Sequence, residues 1–119
     1  MIRKKALLLG ATLALAALAL TGCPEGRHIG DISNDPGRYY EKEVTVYGRV
    51  TRSYGVAGVG VYEVDDGTGR IWVYTDKYGV PPKDVYIGVT GRVTPGITYD
   101  GRNYGNGMHE TRRRTRTKN

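Results

Sequence analysis

Phenylalanine is absent from this chain of 119 residues, and no leucine follows Leu20. A core beyond that point must therefore be packed from Val, Ile and the bodies of tyrosines. Cys23 is the sole cysteine, so no internal disulfide can hold the fold and a structural zinc on cysteine ligands is excluded. The two histidines, His28 and His109, stand 81 residues apart with no cysteine or further histidine beside them. A metal site would have to be made from carboxylates alone, and none is expected. Gly55, Gly58 and Gly60 are followed by no Gly-Lys-Ser/Thr and open no helix, which argues against a nucleotide loop. Ser33 and Ser53 lack the setting of a nucleophile elbow. Asp65 and Asp66 form a carboxylate pair, but the spacing of Asp-Asp-Gly-Thr-Gly is not that of a calcium loop and turn chemistry accounts for it. With no catalytic constellation, an enzyme is not expected, and neither is a cofactor.

What is present begins with an export signal. Arg3, Lys4 and Lys5 make a basic start, Ala6 to Leu20 an uncharged run of 15 residues, and Thr21 and Gly22 a small-residue step before Cys23. That run is shorter than the roughly 20 residues needed to cross a bilayer core, and the layout is that of a secretory signal. Leu20-Thr21-Gly22-Cys23 resembles the lipobox of bacterial lipoproteins. The resemblance implies a signal peptide over residues 1–22, a diacylglycerol on the Cys23 sulfur, a third chain on its amine, and a lipidated tether over residues 23–28. A buried methylene contributes about 0.8 kcal/mol, so two or three chains hold where one is marginal. The implied location is the bacterial cell envelope, on its periplasmic or outer-surface side. The plain alternative is a secreted, unlipidated protein with a spare thiol. Cleavage leaves 97 residues, enough for one small domain.

The net charge of +6 points toward nucleic acid until it is divided along the chain. The signal holds three of the basic residues, and Arg112, Arg113, Arg114, Arg116 and Lys118 hold five more near the end. Between Cys23 and Glu110, ten Lys or Arg face twelve Asp or Glu. A slightly acidic body lacks the clustered positive field that phosphate binding needs. The basic end can bind anions or stand as a solvated, frayed terminus, with residues 115–119 expected as a disordered tail.

From Val44 to Val93 the chain is rich in Val, Tyr, Thr and Gly and alternates with period two, which predicts an all-β domain. Val44, Val46, Gly48 and Val50 make the inner side of a first strand, followed by a Gly-rich loop over Ser53 to Gly58. Val61 to Val64 forms a second strand, joined by Asp65-Asp66-Gly67-Thr68-Gly69 to a third at Arg70 to Thr75. Pro81-Pro82 makes Asp76 to Asp84 an irregular loop. Val85 to Val93 is a fourth strand, Gly96 to Gly107 a long hairpin loop, and Met108 to Arg114 the candidate closing strand. Ahead of the first strand, Asp35-Pro36-Gly37 permits only a short helical turn that packs Ile29, Ile32 and Tyr39 on the barrel end.

The spacing Ile32, Pro36, Tyr39, Lys42, Val44, Val46, Gly48, Val50, then Tyr62-Glu63-Val64-Asp65-Asp66-Gly67-Thr68-Gly69-Arg70-Ile71-Trp72-Val73, then Val89-Thr90-Gly91-Arg92-Val93, resembles bacterial OB-fold domains. The likeness is sharpest at the Val64 to Ile71 hairpin, similar to that of nucleic-acid-binding OB domains. It implies a small five-stranded Greek-key barrel over residues 29–114, with an irregular loop where many such domains carry a helix between strands 3 and 4. Such barrels bind oligonucleotides, oligosaccharides or proteins on one face.

With Val44, Val46, Ile71 and Val73 inside, Tyr47, Arg49, Trp72 and Tyr74 fall outside, where OB domains stack ligands on rings. Outward aromatics also stabilise sheets by about 0.2–1 kcal/mol per cross-strand pair. The expectation is a membrane-anchored, non-enzymatic binding module for an envelope protein, peptide or glycan, using these four residues and the Ser53 to Gly58 loop. The alternative is single-stranded nucleic-acid binding through the barrel face and the basic tail.

Overall fold

The computed structural model describes residues 26–115; the expected signal peptide (residues 1–22), Cys23 and the last four residues lie outside the described residues. A six-residue helix α1 (Ile29–Asn34) and a 3-10 turn (Pro36–Arg38) precede five strands: β1 (Glu43–Val56), β2 (Val59–Asp65), β3 (Arg70–Thr75), β4 (Tyr86–Tyr99) and β5 (Arg102–Thr115). They close into a barrel in the order β1-β2-β3-β5-β4. Neighbours are antiparallel except β3 and β5, which run parallel. The fold is all-β and OB-like, and the residues between Thr75 and Tyr86 form an irregular loop.

The alternation places the expected residues inside. Val44, Val46, Val50, Val64, Ile71, Val73, Ile87, Val89 and Val93 share one core with Tyr62 and Met108, and Ile29 and Ile32 of α1 join it. Gly48 lets one strand serve two partners. β1 pairs with β4 from Glu43 to Arg49 and with β2 from Arg49 to Val56. A Cβ at position 48 would stand 2.5 Å from the Asp65 carbonyl oxygen, so a side chain there would hold the strands apart.

Two expected loops are strand. Ser53 to Val56 continues β1, and the Gly-rich stretch reduces to Ala57 and Gly58, both at positive φ (55° and 84°). Gly96 to Tyr99 continues β4, and β5 starts at Arg102 rather than Met108, with Asp100 and Gly101 (φ 52° and 75°) at the tip. Paired positive φ values are what a two-residue hairpin turn with the right-handed twist of its strands requires. The glycines in these arms sit in twisted or bulged ladder, with register shifts at Thr94/Ile97 and Ile97/Thr98. Residues 26–28 of the expected tether lie on the barrel: Gly26 bridges Thr45, and the Arg27 amide donates to the Thr45 carbonyl at 2.8 Å. Thr115, expected in the tail, is the last residue of β5.

The turn between β2 and β3 also holds α1. Asp66 accepts from the Thr68 and Gly69 amides and the Thr68 hydroxyl, and its other oxygen accepts from the Ile29 amide at 2.8 Å. The Thr68 hydroxyl in turn accepts from the Gly30 amide at 2.9 Å. Orphan donors at the helix start are thus met by a turn nearly 40 residues away. Burial works against the charge on Asp66, but the hydrogen bonds from Thr68, Ile29 and Gly69 outweigh it and hold the carboxyl below the usual carboxylate range.

The loop after β3 covers the other mouth. Val80 rests over Gly55 and Gly60, and the Ser53 hydroxyl donates to the Pro81 carbonyl at 2.6 Å. Beneath it, Tyr62 donates to Glu110 at 2.8 Å, and Arg113 grips both Glu110 oxygens at 2.8 and 2.9 Å while its Nη2 donates to the Gly79 carbonyl. Burial, with Glu110 alongside, pushes the Tyr62 phenol far above its ordinary value and keeps it a donor. Burial opposes the charge on Arg113, yet Glu110 and Tyr62 more than offset this and raise its pKa.

Arg113→Met leaves a buried carboxylate without its cation and is expected to cost about 3–5 kcal/mol in urea unfolding. Adding Glu110→Gln should restore much of the loss; a single variant as stable as wild type would contradict the assignment. Asp66→Asn should cost about 1–2 kcal/mol at neutral pH. Because the folded Asp66 pKa is depressed, its contribution is complete above the unfolded carboxylate value and vanishes as pH falls through the folded one. Thermal unfolding of the two proteins should therefore converge in acid.

Candidate functional site

The outer side of β3 carries a row of rings. Trp72 lies between Tyr54 of β1, stacked with centroids 6.1 Å apart, and Tyr104 of β5, tilted at 4.6 Å. One register step along, Tyr74 meets His109 edge to face at 5.1 Å, and His109 Nε2 lies 3.3 Å from Asp76 Oδ2. Both arrangements follow from pairing: Trp72 stands opposite Gly107 and Tyr74 opposite His109. Trp72 and Tyr74 face outward as expected and are half-buried, because neighbouring rings flank them. Tyr54 keeps 46% of its surface exposed, so the row presents ring faces and hydroxyls to solvent. It lies between the β1–β2 arm and the β4–β5 arm.

Carboxylates stand beside the Trp72 end of this row. Glu63, opposite Trp72, is nearly buried and accepts from the Thr51 hydroxyl at 2.7 Å, with Arg52 at 3.6 Å and Arg70 at 4.0 Å. Arg70 also reaches Asp65 at 3.1 Å. Arg52 and Arg70 thus face carboxylates of the same side, whereas Arg92 and Lys77 line the groove beside Tyr74 and His109.

Tyr47 and Arg49 do not join this row. They lie on the half of β1 paired with β4, where Tyr47 stands opposite Gly88 and Arg49 opposite Tyr86. There they line an open groove of about 870 Å³ with Tyr86, Gly88, Arg114 and the Asp65 to Gly67 turn. Arg49 pairs with Asp84 at 2.8 Å. β3 is the strand farthest around the barrel from the β1–β4 seam, so the four expected site residues divide between two faces.

Tyr54, Tyr104, Arg52 and His109 were not expected here. Period-two alternation continued past Val50 would turn Arg52 and Tyr54 inward with it, and the register shift between Val50 and Arg52 is what turns them out; for Tyr104 the signal was the Asp100-Gly101 pair, a strong hairpin signature. Among the described residues no three His, Cys, Asp or Glu side chains converge on a metal-sized site. None of the described helices is long and apolar enough to cross a membrane.

No family model and no curated protein matches this sequence. Solved structures do resemble it in fold. An OBody bound to hen egg-white lysozyme aligns over 66% of this chain and 84% of its own, with 16% identity and a TM-score of 0.50. A putative aspartyl-tRNA synthetase from Leishmania major Friedlin aligns over 87% of this chain and 26% of its own, with 10% identity and a TM-score of 0.56. A replication protein A heterotrimer bound to single-stranded DNA aligns at 22% identity over 64% of this chain and 58% of that one, with a TM-score of 0.48. At such identities the likeness concerns the fold, which the strand order and closure of this chain independently define as OB-like.

Proposed function

We propose that this chain is a non-enzymatic binding module of a bacterial envelope, anchored through lipid on Cys23, that takes a peptide or glycan of the envelope on the outer face of β3. The observation that carries this reading is the row Tyr54, Trp72 and Tyr104, one ring from each of three strands. Aromatic faces with polar tips suit sugar rings and peptide side chains, since they offer apolar area and hydrogen bonding at little conformational cost. The anchor rests on the lipobox-like Leu20-Thr21-Gly22-Cys23.

The second reading, single-stranded nucleic acid, draws on the same rings, because bases also stack on them. Two features weigh against it. Arg52 and Arg70 face Glu63 and Asp65, and the basic end of β5 lies against β4 at Ile87 and Gly88, away from the Trp72 row. Phosphate binding gains its affinity from cations free to displace counterions.

Three outcomes are expected. Mass spectrometry of the membrane fraction should find Cys23 acylated, and Cys23→Ser should move the protein to the soluble fraction; an unmodified thiol on membrane-bound protein would remove the anchor. Trp72 emission should shift on titration with N-acetylglucosamine oligomers or envelope-derived peptides and stay unchanged with a single-stranded oligonucleotide at physiological salt. Micromolar oligonucleotide binding that weakens steeply with salt would reverse the ranking. Trp72→Ala should abolish the shift-producing interaction, followed by calorimetry, while sparing the fold. Ile71→Ala, one residue away in the core, should instead cost about 2–5 kcal/mol of stability.

A further inference from the structure

The groove holding Tyr47 and Arg49 lies where both ends of the described chain leave the barrel. At one end, Gly26 is bridged to Thr45 and a Cβ on it would sit 3.6 Å from the Tyr47 ring. At the other, Arg114 and Thr115 pair with Gly88 and Ile87 of β4, and Gly88 is the residue opposite Tyr47. Cys23 precedes Gly26 by three residues, a span of at most about 11 Å fully extended. A lipid on that cysteine therefore keeps the Gly26 end of this face within about 11 Å of the headgroups, a little more than the Debye length of about 8 Å at physiological salt.

The surface suits that position. Tyr47 and Tyr86 are exposed by 63% and 58%, and tyrosine is enriched where membrane meets water. The Tyr47 ring lies across Gly88, where a Cβ would stand 2.8 Å from it, so the ring is laid along the surface. Arg49 of β1 and Arg112 and Arg114 of β5 are exposed here, with Glu43 paired to Arg112 and Asp84 to Arg49. At the rim, Asp65 is held by Arg70 and Asp66 by the turn amides. Arg114 forms no ion pair among the described residues, and Arg116 and Lys118 follow it in sequence.

We propose that the β1–β4 face around Tyr47, Tyr86 and Arg114 is a docking surface for anionic lipid headgroups, which turns the Trp72 row away from the bilayer. The proposal rests on the anchor at Cys23 and adds the orientation of the domain. Each basic residue near an anionic surface adds attraction that falls off within a Debye length, so the short span and the arginines act together.

The test uses the full chain as purified from membranes, in vesicles of phosphatidylcholine and phosphatidylglycerol bearing a headgroup quencher. Wild type reports from Trp72; Tyr47→Trp and Tyr86→Trp, each with Trp72→Phe, report from the proposed face. Each variant is first matched to wild type by far-UV circular dichroism, and either reporter suffices. Emission from position 47 or 86 should be quenched several-fold more than emission from Trp72. Arg114→Glu should lower the docked population about fivefold, and replacing phosphatidylglycerol by phosphatidylcholine should lower it too. Equal quenching from both faces, with Cys23 acylated, overturns the docking surface and leaves the anchor standing. An unmodified Cys23 overturns both.

Discussion

Glu110 is a charged side chain with none of its surface exposed, and one mouth of the barrel is organised around that fact. A carboxylate withdrawn from water is tolerable only when a counter-charge and hydrogen bonds replace its hydration. Arg113 supplies the charge three residues later in the same strand, Tyr62 supplies a hydroxyl from β2, and the Arg113 guanidinium continues to the Gly79 carbonyl. The guanidinium also lies over the Tyr62 and Tyr78 rings, 5.3 and 5.7 Å from their centroids. One buried ion thereby ties β2, β5 and the irregular loop. That loop stands where many OB barrels carry a helix, and polar ties hold it in place. The opposite mouth is closed by the apolar residues Ile29 and Ile32, which Asp66 and Thr68 hold in position.

The shared strand β1 decides how the outer surface is divided. β1 pairs with β4 as far as Arg49 and is bulged between Val50 and Arg52, so outward residues before the bulge face one side of the barrel and those after it another. Tyr47 and Arg49 fall on the seam with β4, while Arg52 and Tyr54 come round to β3. Trp72 meets Tyr54 across β2 within the β1-β2-β3 meander, and Tyr104 on β5, which is far from β3 in sequence and adjacent only because the barrel closes.

The two faces also differ in charge economy. Beside Trp72, Arg52 and Arg70 face Glu63 and Asp65, and Lys77 and Arg92 line the groove beside Tyr74 and His109. On the β1–β4 side Arg114 stands apart from any ion pair among the described residues, with more basic residues following it in sequence. The ring row and the groove at Tyr47, Tyr86 and Arg114 lie on opposite sides of the barrel, as the proposed support on one side and ligand on the other require.

Period-two alternation was enough to assign the all-β class, the inner residues of four strands and the outward direction of Tyr47, Arg49, Trp72 and Tyr74, because on a strand each side chain's face follows from its neighbour's. The Asp65 to Gly69 turn was legible for a similarly local reason. Strand ends were not: glycines at 55, 96, 105 and 107 read as loop, whereas the ladder absorbs them in arms whose pairing partner supplies what their own propensity lacks. Nor could alternation tell which outward residues meet. That depends on the bulge between Val50 and Arg52, which turns Tyr54 outward, on the register of β3 against β5, and on closure of the sheet, all of which are set by contacts between residues far apart in the chain. Sequence alone therefore determined that Tyr47, Arg49, Trp72 and Tyr74 point out, and tertiary structure decided that they lie on two separate faces and which rings join them.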